Sequence, residues 1–437
     1  MIKVSVIMPC YNVVLYFKEC IESVLNQKDF EELEVIIVDA GSSDGTYEIA
    51  SYYADKHTNV RLISSDKKSY GYQVNLGIKE AKGEYVAVLE TDDYIKEDMY
   101  ISLYNLAKEN DVEYVKADFD VFYQCRNGKR IIWNNTLNKQ YENINGHVID
   151  PSKNAFLYNT DTTIWRGIYL REFLIQNGVF LNETSGAAFQ DIGFGLLLHA
   201  KARRALYVQD SFYRYRIGRE GSSINSGKGL IYGQQEFGWI LSREDLDEFY
   251  LPGVYEALFL TFAYEFSRMD NRECMNDDKT HDCIMWFIKQ IEYGFDNNLI
   301  SDEFLANDGL QDKINLYERI RENPEKELKR QIDAKTKRMS NLTEMNKHFG
   351  NHIVFGAGIY GKNALMALDS IGINVDLFFD NNAHEGEKIA GIDVVVPDVE
   401  HINEDVAILI ACKNYKEEMM QQMKEMGVRD NNIFSFN

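Results

Sequence analysis

The sequence predicts an α/β chain built on a mostly parallel sheet, and three observations carry that prediction. Over the first 119 residues, short β-forming runs alternate with stretches of helical periodicity. Two of those runs, Glu34–Asp39 and Tyr85–Leu89, are apolar in the manner of strands buried on both faces, and each opens onto carboxylates at its C-terminal end. A second strand, glycine turn and helix begin at His352. The expected division is residues 1–228 for the first α/β domain, 229–349 for a helical region ending in a connecting helix, and 350–437 for a small α/β domain.

Taken in order, Lys3–Pro9 is an apolar strand that ends in the loop Pro9-Cys10-Tyr11-Asn12, followed by a helix with Phe17, Ile21, Val24 and Leu25 on one face. The strand Glu34–Asp39 leads through Ala40-Gly41-Ser42-Ser43-Asp44-Gly45-Thr46, a loop of small residues, into a helix reaching about His57. Val60–Ser64 is a third strand, and Tyr70–Gly77 opens a third helix. The strand from Tyr85 then stops at Glu90-Thr91-Asp92-Asp93. Three carboxylates so close repel one another, so they require either good solvation or a cation. Oxygen ligands of this kind suit Mg²⁺ or Mn²⁺, which also bridge to phosphate oxygens. A polar turn in which Asp92 or Asp93 caps the next helix accounts for the same residues. Connections between parallel strands gather the loops at one edge of the sheet, so Asp39 and the acids share a crevice.

The ordered set Pro9-x-Tyr11-Asn12, Val38-Asp39-x-Gly41-Ser42-Ser43-Asp44-Gly45-Thr46, Asn75-x-Gly77 and Lys82-Gly83-Glu84-Tyr85 before Asp92-Asp93 resembles the family-2 glycosyltransferases of GT-A fold, closely to about Phe119 and more loosely to about Asn225. The resemblance implies inverting transfer of a sugar from a nucleotide-diphosphate sugar, UDP-linked by preference, onto an acceptor hydroxyl. It implies that Pro9, Tyr11, Asn12, Asp39, Asn75, Glu90, Thr91 and Asp92 surround the donor. Tyr11 would lie against the base, Asp39 would accept from it, and Asp92 with Asp93 would hold Mn²⁺ or Mg²⁺. Three positions depart from the family pattern: Ala40 stands where a second Asp is common, Glu90 lengthens one arm of an Asp-x-Asp, and Val74 replaces an Arg. Lys67 or Lys68 is the available substitute for that Arg, although both also read as a solvated loop.

Beyond Phe119 the sheet pattern gives way to an insertion in which Asn127-Gly128 marks a hairpin. Thr162–Leu174 and Phe189–Phe194 resemble the acceptor half of such enzymes, where a Glu-Asp pair supplies the base. Here Gln190 replaces the Glu and leaves Asp191 as the base within that motif, the alternative being a helix cap. His199 reads as a packing residue. Tyr213, Arg214, Tyr215 and Arg216 alternate as a strand before the loop Gly218–Ser223. In the enzymes the chain resembles a loop here closes over the diphosphate, which implies that Arg214, Arg219 and Ser222 contact it; Arg216 shares the face of Arg214, so the two either serve the phosphates together or are both solvated.

From Leu230 to Phe349 the pattern is helical. Phe259, Phe262, Ala263 and Phe266 form a core stripe, and the basic segment Glu325–Lys347 reads as a connecting helix, solvated by default and otherwise able to touch lipid headgroups or another subunit. In the last domain Gly356-x-Gly358-x-x-Gly361 lies between strand and helix, with Asp380 about twenty residues on, which is the arrangement a nucleotide or NAD(P) requires. The domain resembles the small Rossmann-like modules attached to surface-polysaccharide enzymes; at about half of a full dinucleotide fold, it reads equally as a scaffold that orients or oligomerises the transferase. An alternative function follows: an NAD(P)- or nucleotide-sugar-binding enzyme or sensor in which this domain carries the activity. A nucleotidyltransferase is disfavoured, since Cys10-Tyr11-Asn12-Val13 stands where its phosphate loop would be.

Composition narrows the partners. A formal net charge of −22 in 437 residues speaks against nucleic acid. No apolar run approaches the ~20 residues that span a bilayer, and Met1–Pro9 is too short for a signal peptide. Six cysteines without CxxC spacing suit a reducing compartment. The expectation is a cytoplasmic protein, peripheral at most at the inner face of the membrane. The family resemblance, not the composition, implies an acceptor that is a glycan or lipid-linked glycan of capsule, O-antigen or teichoic type, and a homo-oligomer is compatible with the sequence.

Overall fold

In the computed structural model, residues 1–135, 143–219, 228–269 and 277–436 are described. They form two compact units. The first comprises Met1–Val121, Asn134–Tyr215 and Glu220–Lys329, and the second Phe122–Trp133, Arg216–Arg219 and Arg330–Asn437.

The first unit is organised by β1 (Val4–Cys10), β2 (Leu33–Asp39), β3 (Val60–Ser64) and β4 (Tyr85–Val88), all paired in parallel, with β1 between β2 and β4. Every residue of β1, β2 and β4 is buried, which is why these runs carry no polar alternation. Cys10 pairs with Asp39, so β1 and β2 end level at one edge. The helices Val14–Leu25, Thr46–Lys56 and Tyr70–Glu80 make the crossovers. The last packs tightly: a Cβ on Gly77 would lie 2.4 Å from Ile7 Cγ2.

The sheet continues through β5 (Tyr94–Ile95), β6 (Tyr114–Gln124), β7 (Arg130–Asn135), β8 (Val148–Ile149), β9 (Gly167–Leu170) and β10 (Ala205–Ile217). The strand order is β3-β2-β1-β4-β9-β6-β10-β5, with β7 on β6 and β8 on β10. β9 runs antiparallel to both β4 and β6. The expected break at Phe119 is thus corrected, because β6 runs through that residue to Gln124. Four long helices, Gly229–Leu241, Leu251–Arg268, Asp278–Asp296 and Gln311–Glu322, complete the unit. Phe259, Phe262, Ala263 and Phe266 are buried there, and the Phe262 ring stacks on Phe287 at 5.2 Å.

In the second unit, β11 (Asn351–Phe355), β12 (Leu377–Phe379), β13 (Lys388–Ile389), β14 (Ile392–Val395), β15 (Val406–Ile410) and β16 (Ile433–Ser435) form a sheet in the order β13-β14-β12-β11-β15-β16. All its pairs are parallel except β13 with β14. The hairpin closes at Asn127-Gly128, where Gly128 has φ of 80° and Asn127 Oδ1 accepts from Lys129 N–H at 2.9 Å. Its Tyr123, Cys125 and Ile131 belong to one apolar core with Leu342, Met345, Leu365 and Leu368. Tyr123 Oη donates to Asp369 at 2.9 Å, and Arg126 Nε to the same carboxylate at 3.3 Å. The expected boundaries at 229 and 350 therefore differ from the packing. Helices through Lys329 group with the first sheet, and the small unit takes in a hairpin distant in sequence.

Candidate active site

The loops after β1 and β2 are stitched together by short polar residues. Asn12, with φ of 53°, donates its N–H to Ser42 Oγ at 3.0 Å and accepts from Ser43 N–H at 2.8 Å. Asp39 is buried, and its Oδ2 accepts from the N–H groups of Gly41 (2.9 Å) and Ser42 (3.0 Å). Gln73, which no motif flagged, reaches from the Tyr70–Glu80 helix to the carbonyls of Cys10 (3.0 Å) and Val38 (2.6 Å), holding the two strand ends together. Tyr11 projects outward at 41% exposure. The Lys68 ammonium lies 4.4 Å from its ring centre and donates to its hydroxyl at 2.6 Å. Lys67 instead pairs with Glu183 at 3.1 Å.

After β4 the acids take different roles. Thr91 is buried and its hydroxyl donates to the carbonyl of Pro9 at 2.9 Å, tying this loop to β1. Tyr70 Oη donates to Glu90 Oε1 at 2.5 Å. Asp93, expected as a second metal ligand, is buried and accepts from Tyr213 Oη at 2.8 Å. Asp92 is half-buried. Among the described residues no group of three or more His, Cys, Asp or Glu side chains is arranged to cage a metal. The half-buried Asp92, beside Glu90, has the chemistry to serve a cation that takes one or two carboxylates and fills its shell with water and substrate phosphates, as Mg²⁺ does.

Asp191 stands in the first turn of the helix Gln190–Lys201, after Phe189 at φ of 69°. It is therefore inside the helix and not its cap. Burial pushes its carboxyl up to about 6, against the pull of the N–H groups of Asp191 and Ile192 and of the Lys116 charge. Gln190 is turned inward: its amide accepts from Ala188 N–H at 2.8 Å and donates to Thr184 Oγ1 at 3.0 Å, folding the segment before the helix. Tyr215 shows what these elements bring together. Burial raises the affinity of its phenol for its proton, and the charges of Asp93, Asp92, Glu90 and Asp191 all add to that. The phenol thus lies in the combined field of the acids after β4 and of Asp191. Its ring stacks on Trp165 at 5.0 Å and 2°.

A buried ion cluster that sequence reading missed acts on Asp191 through its charges. Asp161 pairs with Lys116 at 2.9 Å and with Arg166 at 3.0 Å, all three essentially inaccessible. The Asp161 carbonyl bonds His199 Nε2 at 2.7 Å, and Lys116 Nζ donates to the carbonyl of Thr163 at 2.7 Å. Burial opposes the Asp161 charge, but Arg166 and Lys116 hold its carboxyl well below the ordinary carboxylate range. Burial also lowers Lys116 to about 8 and His199 to about 4. Asp161 and Arg166 stand five residues apart in the loop before β9, while Lys116 comes from β6, and no sequence motif brings the three together.

Other expected donor residues have different partners. Asn75 is buried and exchanges hydrogen bonds with the backbone of Leu181, accepting and donating at 2.9 Å, so it tethers that segment. Arg214 pairs with Asp120. Arg216, in the second unit, lies over the Phe122 ring at 4.4 Å. Arg219 also belongs to the second unit, while Ser222 lies outside the described residues. In the C-terminal turn Gly356 has φ of 109°, and a Cβ on Gly361 would lie 1.8 Å from Gly356 O, so both glycines serve the turn and its helix. A Cβ on Gly358 would meet nothing within 4 Å. Asp380 is turned onto the glycine turn itself: its Oδ2 accepts from Ala357 N–H at 2.8 Å. The carboxylate thus occupies a donor that a bound phosphate would use.

A parallel β3-β2-β1-β4 core, extended by antiparallel strands and carrying a row of acids where its central strands end, defines a GT-A type sheet. Residues 5–169 match the family model "Glycosyl transferase family 2", and this part of the chain is a family-2 glycosyltransferase domain. Among curated proteins, the uncharacterized glycosyltransferase YibD of Escherichia coli is 30% identical over 218 residues, 49% of this chain and 61% of that one. The cholesterol galactosyltransferase of Borreliella burgdorferi is 28% identical over 274 residues, 61% of this chain and 74% of that one. The chain thus spans less than two thirds of YibD. Among solved structures, S. aureus TarS 1–349 in complex with UDP-GlcNAc superposes with a TM-score of 0.54 at 20% identity, covering 77% of this chain and 92% of that one. At that identity the likeness is one of fold.

Proposed function

We propose that the chain is a metal-dependent inverting glycosyltransferase that moves a sugar from a UDP-sugar to an acceptor hydroxyl in the assembly of a surface polysaccharide. The observation that carries this reading is that the acids after β4 and Asp191 all act on one buried phenol, Tyr215, through their charges, which puts them in one neighbourhood of the first unit. One acid is suited to a metal–diphosphate and the other to a proton. The family assignment of residues 5–169 and the UDP-GlcNAc held by TarS support the donor class.

In this reading Tyr11 covers the base of the donor and Asp39, at the floor of the same loops, accepts from it. Lys68 lies above Tyr11, placed to swing toward the diphosphate. Asp92 holds Mn²⁺ or Mg²⁺, and Asp93 holds Tyr213 and with it the loop. When bound, the metal supplies positive charge to the departing diphosphate. Asp191 takes the proton of the acceptor hydroxyl as its oxygen attacks the anomeric carbon opposite the diphosphate. A carboxyl at about 6 is ionised at neutral pH yet basic enough to accept that proton. The C-terminal unit, whose Ala357 N–H already donates to Asp380, takes no part in this reading.

Calorimetric titration of UDP, GDP and other nucleoside diphosphates into the full chain, with and without Mn²⁺, tests the donor site. Metal-dependent binding of UDP that Asp92→Ala abolishes is expected. Binding indifferent to both metal and substitution would overturn the reading.

A further inference from the structure

The helix Gly229–Leu241 carries Glu236, a residue that no motif singles out. It is 1% exposed and reaches the segment that leads into the proposed base. Asn182 Nδ2 donates to its Oε1 at 3.0 Å, while Oε2 has no hydrogen-bond partner among the described residues. That second oxygen lies over Gly193, two residues beyond Asp191, where a Cβ would come within 2.7 Å of it. The absent side chain at Gly193 is the room the carboxyl occupies.

The same segment is also held by the Tyr70–Glu80 helix. Asn75 holds the Leu181 backbone, and a Cβ on Gly71 would strike Asn182 O at 1.9 Å, so the Tyr70–Glu80 helix abuts it closely. Leu181 and Asn182 are therefore held by that helix and by Glu236 just before the chain turns into the helix of Asp191.

A buried carboxyl with one unpartnered oxygen is far less costly neutral than charged. Burial pushes Glu236 up to about 8, the bonds from Asn182 and Thr184 pull the other way, and the Asp191 charge adds to the rise. Those three residues, from the loop and from the Gln190–Lys201 helix, are the groups that act on it.

We propose that Glu236 is a positioning residue for the base: as the neutral acid it pins the segment 182–189 and leaves Asp191 the charged carboxyl at the start of its helix, and its ionisation switches transfer off. This rests on the reading of Asp191 as base.

The test compares the full-length wild type with Glu236→Gln and Glu236→Met, using UDP-GlcNAc as probe donor and UDP release as readout from about pH 5 to about pH 10. The wild-type rate is expected to fall about tenfold per pH unit above about 8, while Glu236→Gln is slower by about three- to tenfold at neutral pH and lacks the alkaline fall. Superimposable profiles overturn the proposal. Glu236→Met is neutral but lacks the bond to Asn182. It should lack the alkaline fall too, at a lower rate, so a retained fall counts against the proposal.

A second arm needs no turnover. Because the folded pKa of Glu236 lies above its unfolded value, its contribution is full below about 4.5 and is lost as pH rises to about 8. The Tm of the wild type minus that of Glu236→Gln should therefore decline across this window and level off above it. A constant difference overturns the proposal. A declining difference in a chain that turns over no donor keeps the proton on Glu236 but overturns the transferase reading, and with it the switch.

Discussion

Replacing Asp191 by Asn removes a base while preserving nearly everything else. The amide has the shape of the carboxylate and keeps an oxygen for the N–H groups of the first helical turn, so the helix Gln190–Lys201 has no reason to move. With a pKa of about 6, the group is about nine-tenths ionised at pH 7 and only about one-tenth at pH 5. The wild-type rate should therefore fall close to tenfold between those two values. Loss of a positioned general base costs about 10²–10⁴ in rate, or about 3–5 kcal/mol of transition-state stabilisation. Asp191→Asn should show that loss at pH 7 together with a flattened acidic limb, and UDP affinity should stay within about threefold because the donor contacts are elsewhere. The assay is UDP release from a UDP-sugar panel offered simple glycosides as acceptors, paired with calorimetry of UDP. A variant within about threefold of wild type that retains the acidic limb would refute the assignment of the base.

Three further outcomes are expected. Asp92→Ala should weaken UDP binding about tenfold or more in Mn²⁺ and leave the weak metal-free binding unchanged, as read by calorimetry. Asp161→Asn leaves Lys116 and Arg166 buried without their shared counter-charge, and should destabilise the first unit by about 3–5 kcal/mol in urea unfolding. Asn75→Ala removes both bonds to the Leu181 backbone. It should cost about 1–3 kcal/mol and raise hydrogen exchange in residues 181–189 without changing metal-dependent UDP binding, which separates a tether from a donor contact.

Much of the first unit is legible because its signals are local. Buried parallel strands announce themselves by runs such as Val35–Val38, and the acid that ends each run marks the edge where ligands bind. Asp39 and the acids after β4 can be picked out for that reason, whereas Asp191, inside a helix, is reached only through the family motif it resembles. The partners of those residues are much less legible, because a hydrogen bond between Asn75 and Leu181 or between Asn182 and Glu236 leaves no periodicity behind. Strand alternation places Arg214 and Arg216 on one face of β10, but what that face meets depends on strand order, which supplies Asp120 for one and the Phe122 ring for the other. Asp380 shows the same limit. Its spacing from the glycine turn fits a ribose contact, and only the fold reveals that the side chain bends back onto Ala357. The hairpin at Asn127-Gly128 is plain in sequence, whereas the core it enters is not.

That hairpin bears on how the gene can be rearranged. Tyr123, Cys125 and Ile131 are part of the wall of the C-terminal core, so the stretch that looks like a detachable cassette at the end of the chain is incomplete as a linear fragment. A recombination event joining residues 350–437 to another enzyme would transplant Leu365 and Leu368 without some of the side chains that cover them. A truncation before residue 330 would leave the hairpin's apolar residues facing water. Selection would therefore tend to keep or lose the two parts together, and inheritance of the C-terminal unit should track inheritance of the hairpin.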